Sequence, residues 1–300
     1  MRKLDVLIKF MQKLDGGSMF DPRLLRAFVM IVDCGSFTTA AERLHMTQST
    51  ISQQLGRLED AVGRELIDRA ARPVRVTATG ERLLGHARRI LALQTEALSL
   101  LADTSGTTSM RVAMPDDIAT PEMVRVFAAF ANRHRQVRID VTTGLSLDLT
   151  RRYRGGEFDI VVVKEAAASS DHFATFPEPI AWFASADTGT LFSDPLPLVA
   201  FPPGGLYRDA MFERIERERR RWYVAFTSSS LQSVLSAVEA GLGLSLLPVG
   251  TTTGRKVRQS PDFGMEPPMV VSIYSWERGG LVGELTSEMS GILSARFLGA

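Results

Sequence analysis

The sequence predicts an α/β protein whose N-terminal portion is mostly helical, and three observations carry that expectation. Residues 20–62 hold three apolar runs at helical spacing, broken at Gly35 and again at His45 and Met46. Residues 78–101 hold one longer run whose apolar positions alternate three and four apart. From Met110 onward short β-prone runs alternate with helical ones, which implies mainly parallel strands joined by crossover helices.

Composition sets the outer limits. A chain of 300 residues with 45% hydrophobic content can fill two compact domains. No apolar stretch reaches the roughly 20 residues of a membrane helix, so no membrane partner is expected. The basic start is interrupted by Lys9 and Lys13 and lacks a small-residue cleavage site, which argues against a signal peptide. Residues 1–18, ending in Gly16, Gly17 and Ser18 before Met19, read as a flexible extension. Cys34 is the only cysteine, and His45, His86, His134 and His172 have no ligand spacing, so neither a disulfide framework, a metal nor a cofactor is expected. The expected location is the cytoplasm. Residues 19–101 carry 11 arginines against 9 acids, and residues 102–300 carry 20 basic against 23 acidic residues. With so weak an imbalance, any nucleic-acid contact must come from placed arginines and polar side chains.

Asp21 and Pro22 start a first helix whose apolar residues are Leu24, Leu25, Phe28, Val29 and Val32, and Gly35 ends it. Ser36 caps a second, short helix with Phe37, Ala40, Ala41 and Leu44 inward; the paired alanines let a neighbouring helix come close. His45 and Met46 form a joint, and Thr47 caps a third helix that buries Ile51, Leu55, Leu58 and Val62. Its other side presents Gln48, Ser49, Ser52, Gln53, Gly56 and Arg57. Short hydroxyls, amides and a glycine suit a helix that reads base edges in the major groove, although an ordinary solvated face has the same composition. Two β-prone runs follow, Leu66 to Asp68 and Val74 to Val76, around a turn bearing Arg72 and Pro73. This is either a wing that sets Arg72 or Arg75 against DNA or a plain exposed turn.

At this point a resemblance is specific. The run "GSFTTAAERLHMTQSTISQQLGRLE", with "LIDR" after it, resembles the helix-turn-helix and wing of the LysR-type transcriptional regulators across about sixty consecutive positions. By that resemblance Gln48, Ser49, Ser52 and Gln53 face the groove and Arg72 is the wing contact. Ser49 departs from the proline that many members carry. The resemblance implies a winged helix-turn-helix over residues 19–77, a linker helix and hinge over 78–109, and an effector-binding domain over 110–300. That domain would be two-lobed and similar to periplasmic binding proteins, with lobe one at about 110–181 and 270–300 and lobe two at about 182–269. It further implies control by a small molecule between the lobes, double-stranded DNA as partner, a homodimer or homotetramer, and RNA polymerase as a further partner.

In the linker helix Leu84, Ala87, Leu91, Gln94, Leu98 and Leu101 have the spacing of a two-helix seam; Leu84, Ala87, Leu91 and Leu98 are the expected dimer contacts. The alternative is a helix packed on its own chain. "DTSGTTS" (103–109) is polar and reads as a connector. In the remainder, strands are expected at Met110–Met114, Val137–Thr143, Phe158–Val163, Leu196–Phe201, Trp222–Phe226, Leu242–Leu247 and Val270–Trp276.

The ligand-facing candidates sit at strand-to-helix junctions. Thr227, Ser228, Ser229 and Ser230 offer hydroxyls where a helix start exposes free amides, an arrangement that suits a carboxylate or merely one cap. Asp116 and Thr143 occupy equivalent junctions, and Asp116 with Asp117 would disfavour an anion nearby. Gly204 and Gly205 permit close backbone approach, and Arg208 is either a pocket cation or a surface residue. No G-x-S-x-G elbow, P-loop, H-E-x-x-H or complete G-x-G-x-x-G occurs, so no catalytic residues are proposed and an enzyme is not expected.

Overall fold

The computed structural model describes residues 20–102, 107–187, 194–263 and 265–299. The chain divides into two units, one built on residues up to Thr104 together with Arg154–Glu157 and the other on the remainder from Ser105. The extension at 1–18 and residues 103–106 of the polar connector lie outside the described residues.

In the first unit, the side chain of Asp21 accepts from the Arg23 amide and Pro22 opens α1 (Pro22–Cys34), which Gly35 ends in the left-handed region. Ser36 caps α2 (Phe37–Arg43) and Thr47 caps α3 (Gln48–Val62) by accepting the Thr50 amide at 3.2 Å. Between them His45 takes φ 53, and the Met46 amide donates to the Ala41 carbonyl, so the chain turns sharply enough to set α3 across α2. Leu25, Phe28, Ile31, Ala40, Ile51, Leu55 and Leu58 are fully buried in one core, each large side chain stabilising by about 1.5–3 kcal/mol. Val62 is only partly buried at its edge.

The wing is a two-residue ladder, β1 (Ile67–Asp68) against β2 (Arg75–Val76). It is held to α3 by Glu59, whose Oε1 accepts from the Leu66 amide at 2.9 Å and whose Oε2 pairs with Arg69 at 2.6 Å. The long helix α4 (Ala78–Ala102) starts hard against this ladder. A Cβ on Gly80 would lie 2.1 Å from the Leu66 carbonyl oxygen, so only glycine fits there.

In the second unit, Thr108 and Ser109 already belong to β3 (Thr108–Met114) and not to the connector, because they pair with Val137 and Arg138. Next come α5 (Pro121–Arg133), β4 (Val137–Thr143), α6 (Ser146–Arg154), β5 (Ile160–Glu165), β6 (Ala174–Ser185) and β7 (Leu196–Ala200). They are followed by α7 (Leu206–Arg217), β8 (Trp222–Thr227), α8 (Leu231–Glu239), β9 (Ser245–Pro248), β10 (Val257–Gln259), β11 (Met265–Ser275) and α9 (Gly280–Leu298).

Strands β3, β4 and β5 are parallel, as are β7 and β8. The expectation of mainly parallel sheets is nevertheless corrected: β6 runs antiparallel to β9, β10 and β11, and β11 antiparallel to β5. Strand β6 was not expected at all, since Pro177 and Pro179 interrupt "ATFPEPIAWFAS" and proline argues against an interior strand.

Two cores result. One gathers Met110, Phe127, Phe130, Phe176, Val271 and Leu285, and the other Ile180, Trp182, Leu198, Leu235, Leu246 and Met269. Strands β6 and β11 contribute to both.

Candidate functional site

The outward face of α3 carries Gln48, Ser49, Gln53 and Arg57 exposed, with Ser52 and Gly56 partly so. A Cβ on Gly56 would meet nothing within 4 Å, so packing within the chain does not demand a glycine there and the face is left low at that point. Ser49 is engaged locally, its hydroxyl 2.8 Å from that of Thr47. In the wing turn Arg72 is exposed, but its Nη1 donates to the Arg69 and Ala71 carbonyls, which draws the guanidinium over its own turn. Arg75 is exposed on β2.

The long helix corrects the expected seam. Leu84 and Ala87 are 8% and 0% exposed within the core that α1 and α3 build, and Leu91 packs partly against the same core. Leu84 and Ala87 are covered by their own chain and are not available to a partner, while Leu91 keeps part of its surface exposed. Arg88 also pairs with Asp33 of α1. Leu98 is 63% and Leu93 43% exposed, so the uncovered apolar surface begins only after the helix leaves the core. Leu101 has no described side chain.

In the second unit a small, partly open pocket with a cavity volume of about 40 Å³ lies at the carboxyl ends of β3, β4, β7 and β8, where the following helices begin. This is the usual place for a ligand on parallel strands. Asp116 and Asp117 enter from the end of β3, Gly144 to Ser146 from the start of α6, Gly205 to Tyr207 from the start of α7, and Ser229 from the start of α8. Lys164 of β5 forms the floor. A Cβ on Gly205 would lie 2.6 Å from that of Phe201, so this wall tolerates no side chain.

The Lys164 ammonium is 2.6 Å from Asp117 Oδ2, 2.8 Å from Glu178 Oε1 and 2.9 Å from the Tyr207 hydroxyl, which itself donates to Glu178 Oε2 at 2.5 Å. Burial alone would lower the Lys164 pKa. The Glu178 and Asp117 carboxylates outweigh it and hold the ammonium above its ordinary value. Burial, then the same carboxylates, push the Tyr207 phenol well up, so it stays protonated. Arg296 adds a hydrogen bond to the Asp117 carbonyl at 2.8 Å and lies 3.7 Å from its carboxylate.

Of the expected ligand-facing residues, Asp116 and Ser229 line this pocket; Thr143, Gly204, Thr227, Ser228 and Ser230 do not. The reasons are local. Thr143 ends its strand exposed, and its neighbours Gly144 to Ser146 form the wall. Gly204 takes φ 85 in the turn before Gly205. The Ser228 amide donates to the Ala200 carbonyl and its Oγ accepts from the Ser230 amide at 3.2 Å, which ties β8 to β7 and occupies one of the amides an anion would use. Arg208 is no pocket cation: it donates to the Phe201 carbonyl at 2.7 Å and lies over the Phe212 ring. The sequence reading missed Lys164 and Tyr207; the only signal was a lysine closing the apolar run of "FDIVVVK".

A helix-turn-helix with a polar outward face and a wing, on a chain whose second unit sets a ligand pocket between two α/β cores, defines a transcriptional regulator that answers to a small molecule. Comparison with known proteins agrees. Residues 22–81 match the family described as bacterial regulatory helix-turn-helix protein, lysR family, and residues 104–275 match the LysR substrate binding domain. The chain therefore belongs to the LysR family of regulators; it is a DNA-binding protein controlled by an effector and not an enzyme. It is 31% identical over 231 residues to the HTH-type transcriptional regulator DgdR of Burkholderia cepacia, covering 77% of this chain and 79% of that protein. To PecT of Dickeya dadantii it is 30% identical, with 75% and 72% covered. Full-length LysG from Corynebacterium glutamicum, solved with bound effector Arg, shares the fold at a TM-score of 0.56 and 21% identity, over 90% of this chain and 97% of that one. Among the described residues no helix is long and apolar enough to cross a membrane.

Proposed function

We propose that this regulator acts in the cytoplasm as a homodimer or homotetramer. In this reading Gln48, Ser49, Ser52 and Gln53 reach base edges in the major groove, while Arg57 and Arg72 contact phosphate. The protomers meet through the part of α4 beyond Leu91, where Leu93 and Leu98 are exposed. The effector sits in the pocket floored by Lys164, and its binding changes how the bound protein presents itself to RNA polymerase. The observation that carries the reading is the outward face of α3, polar and largely exposed, opposite a fully buried Ile51, Leu55 and Leu58. Replacing Gln53 with alanine is expected to weaken binding to the preferred operator by about 1–3 kcal/mol while sparing non-specific DNA. Titrations against both duplexes at fixed salt test it, and an equal loss on the two would overturn base reading by this face.

A further inference from the structure

We propose that the ligand of the Lys164 pocket carries a protonated amine, which the Asp116 carboxylate receives. This rests on the reading that the pocket is the effector seat, and it reverses the carboxylate expected from the serine cluster. The pocket's charge is arranged for it. The Lys164 ammonium donates to Asp117 Oδ2 at 2.6 Å and to the Tyr207 hydroxyl at 2.9 Å, and the Glu178 carboxylate, 2.8 Å away, completes its charge pairing. A ligand carboxylate could recruit Lys164 only by displacing one of those partners, and breaking a buried pair is costly. Around the pocket the carboxylates of Asp117 and Glu178 are answered by Lys164 and Arg296. Asp116, exposed at the pocket mouth, has no hydrogen bond or ion pair among the described residues. It is the unanswered charge.

A carboxylate entering here would meet Asp116 and find no free cation. A primary ammonium would find that carboxylate and the Ser146 and Ser229 hydroxyl oxygens. Ser146 Oγ already accepts from the Lys164 amide at 2.9 Å, so it is held in place with a lone pair remaining. The other walls, Leu145, Phe201, Leu206 and Leu231, suit a short apolar body behind the charged head. Recognition of a small, compact amine is the outcome, with or without a second polar group reaching the start of α8.

The full-length protein is titrated with short primary alkylamines, the matching alkylcarboxylates and neutral α-amino acids, reading heat of binding and melting temperature. Amines or amino acids are expected to bind, and Asp116→Asn to weaken them about 10- to 100-fold, the worth of a charge-assisted hydrogen bond. Asp116→Lys is expected to reject amines and admit carboxylates. Binding of carboxylates alone, no response to any amine, or amine binding unchanged in both Asp116 variants overturns the proposal. Ser229→Trp separates the two levels of the argument. If it abolishes binding of whichever probe is active, the seat stands whatever the charge preference; if that probe binds it as well as wild type, the seat itself is wrong.

Discussion

The reading face of α3 and the pocket of the second unit are built in opposite ways. One helix supplies every group on the α3 face, and most of those groups are turned to solvent with the core behind them. The pocket draws its groups from strand ends far apart in the chain, and its charges are already committed to one another: Lys164 meets Asp117, 47 residues earlier, and Tyr207, 43 residues later. Recognition on α3 can therefore change at little cost to the fold. In the pocket, recognition and folding share the same side chains, and only Asp116 and Ser229 are free to vary cheaply.

The largest effect expected from this contrast is at Lys164. Replacing it with methionine leaves Glu178 and Asp117 without their shared cation and should destabilise the second unit by about 3–5 kcal/mol in denaturant unfolding. The same group fixes a pH dependence. Its pKa is raised in the folded chain, so its contribution is fully present below the ordinary lysine value of 10.5 and is lost as pH rises through the folded value. A Lys164→Met protein as stable as wild type would break the contrast.

Next comes α4, where Leu84→Ala should cost the first unit about 2–5 kcal/mol and Leu98→Glu only about 0.5 kcal/mol or less. Sedimentation should then show the Leu98 variant with a weakened oligomer; an intact one places the interface elsewhere. Glu59→Ala, which removes the acceptor for the Leu66 amide and the partner of Arg69, should cost about 1–3 kcal/mol. Increased hydrogen exchange confined to the wing would confirm where it acts. The smallest effect is Arg72→Ala, expected to weaken all DNA alike and lower the salt slope by about 1. An unchanged slope would mean that the carbonyls of Arg69 and Ala71 keep this guanidinium off the phosphates.

Much of the first unit was legible because its causes are local. Caps at Asp21, Ser36 and Thr47 and apolar spacing in α3 determine helix limits and facing within a few residues. The same logic failed for Leu84 and Ala87, since periodicity reports that a helix has an apolar stripe and not what covers it. It failed for β6 because Pro177 and Pro179 fall where that strand is paired on one side only, by β11, so their missing amide donors break no ladder on the other. At the pocket, Asp116 and Ser229 could be found from their junctions, but Lys164 read as the end of an apolar run. Its role exists only once Glu178 and Tyr207 have been brought to it by the fold.

Strands β6 and β11 have a mechanical consequence. They pair with each other from Ala181 with Met265 to Ala174 with Ile273, so one core cannot slide along the other without breaking that ladder. Flexure is what remains. The ribbon is weakest where Pro177, Pro179, Pro267 and Pro268 lack amide donors and the register shifts between Glu266 and Met269, which is where one core gives way to the other. Glu178 sits between two of those prolines and holds Lys164 and Tyr207. Any ligand that redistributes the Lys164 contacts thus applies its load at the bending point itself, with the shortest possible lever between chemistry and motion.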